Sequence, residues 1–353
     1  MADRAFWTRQ RVLLTGHTGF KGSWASLWLE HLGAVVAGYA LPPDHVPDLF
    51  SMLAPFEGAS SMLGDLADAP ALKRLACDFR PTIVLHMAAQ PLVRRSFADP
   101  ATTFATNVLG TVNLLEAIRG LAAVSAVLIV TTDKVYDNRG EERRFLETDP
   151  LGGSDPYSAS KASAELVASS YARSFFEPAG IPVATARAGN VVGGGDWSRD
   201  RLVPDIWRAL HADKPIELRY PRATRPWQHV LEPLSGYFDY LQALCEVPDN
   251  LPRSLNFGPE KEAGDVTVAA IAEALQKHLG AKRGWVRTEG EFPPEMIALA
   301  LDSCKAASVL GWRPRLDPAR TVEWTGDWYR RFDCGEDVRA VTLEQIIEYE
   351  TLG

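Results

Sequence analysis

The apolar run RVLLT (Arg11–Thr15) passes without a spacer into GHTGFKG (16–22), and this junction restricts the fold more than any other stretch of the chain. Trp24, Leu27, Trp28 and Leu32 follow at helical spacing, and AVVAG (34–38) reads as a second strand. Strand, glycine-rich turn, helix and strand make a βαβ opening. Gly16, Gly19 and Gly22 have the spacing GxxGxxG, whose physical logic is a tight turn, close backbone approach to a pyrophosphate, and close packing of helix on strand. We read this as a dinucleotide site contacted through Gly16, His17, Thr18, Gly19, Phe20, Lys21 and Gly22; the alternative is a purely structural turn.

Later strand candidates follow the same plan. TIVLH (82–86) ends in Met87, Ala88, Ala89 and Gln90, where the two alanines are small enough to let a cofactor pass close to the backbone. His86 closes an apolar run, which favours a packed, hydrogen-bonded histidine at the pocket floor over a catalytic one. Residues 104–118 form an amphipathic helix candidate that contains Asn107. The stretch VLIVTTDKVYDN (127–138) then changes at Thr131 from β-branched apolar residues to hydroxyl, carboxylate and ammonium groups, as expected of a buried parallel strand delivering polar groups to its carboxyl end.

The end of the second strand, Gly38-Tyr39-Ala40-Leu41-Pro42-Pro43, has neither an acid for an adenosine ribose nor an arginine for a 2'-phosphate. The missing arginine favours NAD over NADP. Asp65 suits either an adenine amino group or the cap of the next helix, and it is assigned to the cofactor together with Leu66. Further on, Tyr157 and Lys161 stand four residues apart at the start of a helix, on one face. An ammonium beside a phenol favours the phenolate, giving a base for a substrate alcohol. Thr132 has a hydroxyl for the same oxygen.

A chain of 353 residues suits two domains, or one domain with a substantial lobe. The net charge of -8 argues against a nucleic-acid partner but leaves room for a basic phosphate pocket. Cys77, Cys245, Cys304 and Cys334 form no CxxC pair, so neither a metal site nor a disulfide scaffold is expected. No stretch approaches the roughly 20 apolar residues of a membrane span, and the start lacks a long apolar leader, so we expect a soluble cytoplasmic protein.

Eight blocks carry a specific resemblance: GHTGFKGSW (16–24), GYALPP (38–43), AAQPLVRRS (88–96), TNVLGTVNLLEA (106–117), TTDKVYDN (131–138), DPLGGSDPYSASKASAELV (149–167), ARAGNVVGGGDWSRDRLVPD (186–205) and RPWQHVLEPLSGY (225–237). The chain resembles the extended short-chain dehydrogenase/reductases and, within them, the CDP-glucose 4,6-dehydratases. The resemblance implies a Rossmann-type doubly wound parallel sheet with a smaller, mainly C-terminal α/β lobe. Residues 1–188 and roughly 220–260 would bind NAD, 189–219 and 261–330 a sugar nucleotide, and 331–353 would be a tail.

It also implies a reaction on CDP-D-glucose. Tyr157 would deprotonate O4 while C4 gives hydride to NAD, with Lys161 holding phenolate and ribose. Asp133 would protonate the departing C6 hydroxyl and Lys134 would take the C5 proton, before hydride returns to C6. Thr131 and Asn107 join the cofactor set. Thr132, Asn190, Arg199, Arg201, Leu202, Arg222, Gln228 and His229 form the substrate set, with Arg225 the alternative to Arg222. A 4-epimerase, which needs only the redox pair, is the rival reading. The chain departs from the family in residues 139–145 and at Pro294-Glu295-Met296, where a His-Glu-Ala sequence is usual. A homodimer is implied, with a tetramer as the alternative.

Overall fold

Seven parallel strands form one sheet: β1 (Arg11–Thr15), β2 (Val35–Ala40), β3 (Ser60–Leu63), β4 (Ile83–His86), β5 (Ala126–Val130), β6 (Val183–Ala188) and β7 (Ser254–Phe257), in the order β7-β6-β5-β4-β1-β2-β3. The structure is a computed structural model and describes residues 3–54, 60–141, 143–260, 266–280, 282–290 and 299–352. Every residue of β4, β5 and β6 is buried, whereas the edge strand β3 alternates. That burial is why these strands read as continuous apolar runs. The strand order reverses around β1, which pairs with both β2 and β4, placing Thr15 opposite Tyr39 on one side and His86 on the other. A crevice outside the strands' carboxyl ends at such a reversal is the usual ligand site of a doubly wound sheet.

Among the helices packed around it are α1 (Phe20–His31), α2 (Pro156–Tyr171), α3 (Leu202–His211), α4 (Leu231–Glu246), α5 (Pro318–Asp333) and α6 (Val338–Thr351). The indoles of α1 anchor the far end of the chain. Trp28 Nε1 donates to Glu350 Oε1 (2.7 Å) and its ring meets Tyr349 edge-on, so residues 338–351 form a docked helix. On α5, Trp328 Nε1 donates to Thr342 Oγ1 (2.9 Å) and Tyr329 OH to Asp196 O (2.6 Å).

Beyond β6 the chain builds a second region from short paired segments. Val191–Val192 runs parallel to Gln228–His229, Ile216–Leu218 to Trp285–Arg287, and Thr224–Arg225 lies antiparallel to Val266–Thr267. β7 returns to the main sheet beside β6. The divergent 294–296 segment lies outside the described residues.

The turn at 193–195 is packed under α5. A Cβ on Gly194 would fall 2.0 Å from Trp328 Cγ and Cδ2, so Gly194→Ala must displace a buried indole. We expect a loss of about 1–3 kcal/mol, read from the urea midpoint. Gly284→Ala, whose Cβ meets nothing within 4 Å, is the neutral control.

Candidate active site

β5 ends at Val130, and the backbone then folds into the short 3-10 turn Asp133–Val135. Thr132 caps the turn: its Oγ1 accepts from Lys134 N (3.4 Å) and donates to Asp133 Oδ1 (2.9 Å). Asp133 is 1% exposed and its Oδ2 makes no hydrogen bond. Burial pushes this carboxyl's pKa up; Lys134, the Thr132 hydroxyl and Arg225 oppose the shift without cancelling it. A buried carboxyl oxygen without a donor favours the protonated form, which can itself donate. Lys134 is half-buried beside it.

α2 carries Tyr157 and Lys161. Asp155 Oδ1 accepts from Ser158 N (3.0 Å) and Pro156 occupies the first turn, so the helix begins where Tyr157 and Lys161 both fall on its buried face. Lys161 Nζ donates to Val130 O (2.8 Å), which ties α2 to the end of β5. Burial lifts the Tyr157 phenol to about 12, against the Thr132 hydrogen bond and the Arg201 charge, and takes Lys161 down to about 8 against the pull of Glu165. The ammonium, expected to lower the phenol's pKa, is here committed to a backbone carbonyl. Thr132 and Arg201 supply that assistance instead.

The floor of the crevice is fixed by hydrogen bonds. His86 Nδ1 meets Thr15 Oγ1 (2.6 Å) and its Nε2 meets Thr111 Oγ1 (3.2 Å), while burial lowers its pKa to about 3. It is the packed, neutral histidine that its sequence position implied. Asn107 lies in a π-helical turn, Ala105–Leu109, where Oδ1 accepts from Gln90 N (2.8 Å) and Nδ2 donates to Ser160 Oγ (2.8 Å). Ala88 N donates to Thr15 Oγ1 (3.2 Å), and Ala89 is half-buried beside it.

The glycine turn forms a cradle that side chains would fill. Gly16 has φ +79, and a Cβ there would lie 2.6 Å from Ala88 N; one on Gly22 would lie 1.9 Å from Gly16 O. α1 starts at exposed Gly19 without a side-chain cap, so its positive end is available to an anion. These features fit a dinucleotide diphosphate. Thr18 Oγ1 donates to Leu41 O (2.8 Å), and Phe20 is half-buried. His17 packs over Gly38, where a Cβ would meet its ring at 2.4 Å, and its Nε2 meets Ser61 Oγ (2.7 Å). Burial takes His17 down to about 4, so the ring is neutral at pH 7. Lys21 lies over the Tyr237 ring (5.6 Å), and desolvation plus the charges of Arg201 and Lys161 lower it to about 7.

Other predicted residues fall in several places. Asp65 is exposed, its Oδ1 accepts from Ala67 N (2.9 Å), and the cap of the following helix is Asp68. Leu66 is buried beneath Gly110. Asn190 accepts from Gln228 N through its carbonyl (3.1 Å). Arg199 is exposed, Asp200 beside it pairs with Arg94 (2.6 Å), and Leu202 opens α3. Arg201 approaches Asp196 (3.7 Å). Arg222 points to solvent; Arg225 is the buried cation whose charge reaches Asp133. Gln228 and His229 are in the core: Gln228 Nε2 donates to Phe257 O (3.1 Å), and His229 is set edge-on to Trp24 and Trp324.

Sequence reasoning passed over Glu165, Arg187 and Tyr136. Thr131, expected at the cofactor, donates to Glu165 Oε1 (2.5 Å), and Glu165 pairs with Arg187 (2.6 Å). The available signal was an arginine inside VATARA, an otherwise apolar strand.

Residues 13–325 match the family described as GDP-mannose 4,6 dehydratase. The CDP-glucose 4,6-dehydratase of Salmonella typhimurium is 44% identical, over 99% of this chain and 98% of that protein. The UDP-glucose 4-epimerase of Thermus thermophilus, solved in complex with NAD, superposes with a TM-score of 0.77 at 26% identity, covering 91% of this chain and 99% of that one. For the dTDP-glucose 4,6-dehydratase of Bacillus anthracis in complex with NAD the TM-score is 0.74 at 21% identity, covering 91% and 97%. The family match spans most of the sequence and the Salmonella relative spans nearly all of it: the chain belongs to the GDP-mannose 4,6 dehydratase family, within the NAD-dependent epimerase/dehydratase superfamily.

Proposed function

We propose that this chain is an NAD-dependent CDP-D-glucose 4,6-dehydratase, which converts CDP-D-glucose to CDP-4-keto-6-deoxy-D-glucose and water. One observation carries the reading beyond the family: a fully buried carboxyl whose pKa burial raises, and a lysine, Asp133 and Lys134, follow Thr132 beside Tyr157. A 4-epimerase needs Tyr157 and Lys161 but has no use for an elimination pair. The full-length likeness to the Salmonella CDP-glucose enzyme supports the choice of nucleotide.

The Gly16–Gly22 turn and the start of α1 would hold NAD, which would supply the acceptor for the C4 hydride and the hydride for C6. Tyr157 accepts the O4 proton as its phenolate, a form that the Thr132 hydroxyl and the Arg201 charge favour against the burial that raises its pKa. The ketone at C4 acidifies C5–H, and Lys134, in its neutral amine form, removes that proton. Asp133 donates its proton to O6, which leaves as water, and the proton from O4 balances the one lost. Lys134 then returns a proton to C5. Because Asp133 acts in its protonated form, its contribution is full below its raised pKa and is lost as pH climbs through it.

The division follows the same reading: 1–188 with about 220–260 hold NAD, and 189–219 with 261–330 hold the sugar nucleotide. No described helix is long and apolar enough to cross a membrane, and four cysteines that form no disulfide fit a reducing cytoplasm. We also infer a homodimer. Leu109 at the end of the π-helical turn and Leu166 on the neighbouring α2 are 59% and 62% exposed, large apolar residues on adjoining helical segments that a second copy would cover.

Incubation with CDP-glucose should yield a 4-keto-6-deoxy sugar with its base-labile chromophore. A product from another sugar nucleotide and none from CDP-glucose would overturn the cytidine assignment. Lys134→Ala should lower product formation by about 10²–10⁴-fold and abolish deuterium incorporation at C5 in D2O. Undiminished incorporation removes Lys134 as the C5 base. In sedimentation, the wild-type chain should run as a dimer and Leu109→Glu/Leu166→Glu as a monomer; an unchanged dimer in the variant would discount this surface.

A further inference from the structure

Glu165 and Arg187 form a doubly hydrogen-bonded pair, Nε to Oε1 at 2.8 Å and NH2 to Oε2 at 2.6 Å, with both side chains 4% exposed. Nothing in the proposed reaction uses them. The carboxylate accepts further from Thr131 Oγ1 (2.5 Å) and Thr185 Oγ1 (2.9 Å). The guanidinium donates through NH1 to the Tyr136 phenol oxygen (2.8 Å) and Glu147 O (3.3 Å), and lies over the Tyr136 ring at 5.0 Å. Tyr136 in turn donates to Asn256 Oδ1 (2.7 Å). Asn256 has no freedom to flip, since its Nδ2 already donates to Phe145 O (2.9 Å) and Asp302 O (3.2 Å).

The arrangement is informative because of where it grips the chain. Thr131 immediately precedes Thr132, and Tyr136 immediately follows the Asp133–Val135 turn. One ion pair therefore holds both flanks of the segment that carries the acid and the base. The turn holds itself weakly: Val135 N reaches Thr132 O at 3.4 Å, and Lys134 N reaches Thr132 Oγ1 at 3.4 Å. Through Asn256 the same network fastens the turn to β7 and to residue 302, near the start of the late C-terminal segment. Buried ion pairs are often no more stabilising than apolar groups of equal volume, so stability alone is a weak reason for this one.

We propose that Glu165, Arg187 and Tyr136 form a clamp that sets the geometry of the Asp133–Lys134 turn, and that they are positioning residues for the elimination. The proposal rests on the dehydratase reading above. Catalytic groups have to be held within about 0.5 Å of their productive positions, and a three-residue turn achieves that only with outside support. Glu165 also stands one helical turn beyond Lys161 and favours its charged form, so the redox pair and the elimination pair share one anchor.

Tyr136→Phe tests this, because it removes two hydrogen bonds and keeps the ring stacked on Phe145 (5.0 Å, 16° between planes). We expect kcat to fall about tenfold with KM within about twofold, and amide hydrogen exchange across 131–136 to accelerate about tenfold, each matching one lost hydrogen bond to a charged group. Thr131→Val, which releases the other flank, should show the same pattern. Phe145→Leu weakens the stack without touching the hydrogen bonds, so it should lower the urea midpoint and leave kcat and local exchange as in wild type. Wild-type kcat and exchange in Tyr136→Phe would overturn the clamp, as would an equal kcat loss in Phe145→Leu. Exchange is read on the protein alone, so the clamp is tested even if no sugar nucleotide turns over, an outcome that would count against the dehydratase reading instead.

Discussion

Burial of the sheet on both faces forces every reactive group to its carboxyl edge. β4, β5 and β6 have no exposed residue, so a polar side chain within them must find a partner or move to the strand end. Thr15 and His86 resolve this by pairing with each other, and Lys161 by donating to Val130 O. Arg187, the last but one residue of β6, resolves it through Glu165 and Tyr136. Asp133 does not. It lies just past the edge, is as buried as the strands, and retains an oxygen with no donor. The cost of that desolvation appears as a raised pKa, which is the property a proton donor to a leaving hydroxyl requires.

Much of this was legible in the sequence, because backbone constraints write themselves in residue type. Gly16 and Gly22 are glycine because a Cβ would strike backbone 2.6 Å and 1.9 Å away, and the βαβ reading followed from them. The strand ends, the Tyr157 helix and the packed His86 were equally readable. Side-chain direction was not. Arg222 and Arg225 are three residues apart in one loop-rich segment, yet only Arg225 is buried near Asp133, and nothing in RATRPW says which way each points. His229 carries the polar capacity of a ligand residue, but two indoles distant in sequence, Trp24 and Trp324, enclose it. Helix α6 was missed because its contacts to α1 span more than three hundred residues, and the mixed polarity of VRAVTLEQIIEYET resembles a tail until Trp28 and Glu30 supply partners.

The electrostatics of the crevice run against those of the whole protein. The chain carries a net charge of -8, but Lys21, Lys134, Lys161, Arg201 and Arg225 gather around Asp133, with Glu165 beside Lys161 and Asp196 beside Arg201. Desolvation lowers both lysines, Lys161 to about 8 and Lys21 to about 7, the latter with help from the charges of Arg201 and Lys161. An anionic diphosphate entering this cluster favours the charged form of each lysine and so raises both values. Under the proposed function, ligand binding and protonation would thereby be coupled, the substrate's phosphates favouring the charged form of Lys161.

That coupling bears on what separates a dehydratase from an epimerase on the same scaffold. The Thermus epimerase superposes over most of the chain with a TM-score of 0.77, so sheet order and lobe arrangement are shared and do not decide the reaction. Both chemistries also need the tyrosine–lysine pair. What remains is the turn after β5, where a half-buried lysine adjoins a fully buried carboxyl, and the two differ in burial although they are consecutive. A 3-10 turn makes this difference possible, because successive side chains are rotated by about a third of a turn and so meet different surroundings. Opposite proton-transfer roles for adjacent residues therefore need no separate subsites. They need the turn to keep its rotation, and the Glu165–Arg187 pair joined to both of its flanks restrains that rotation.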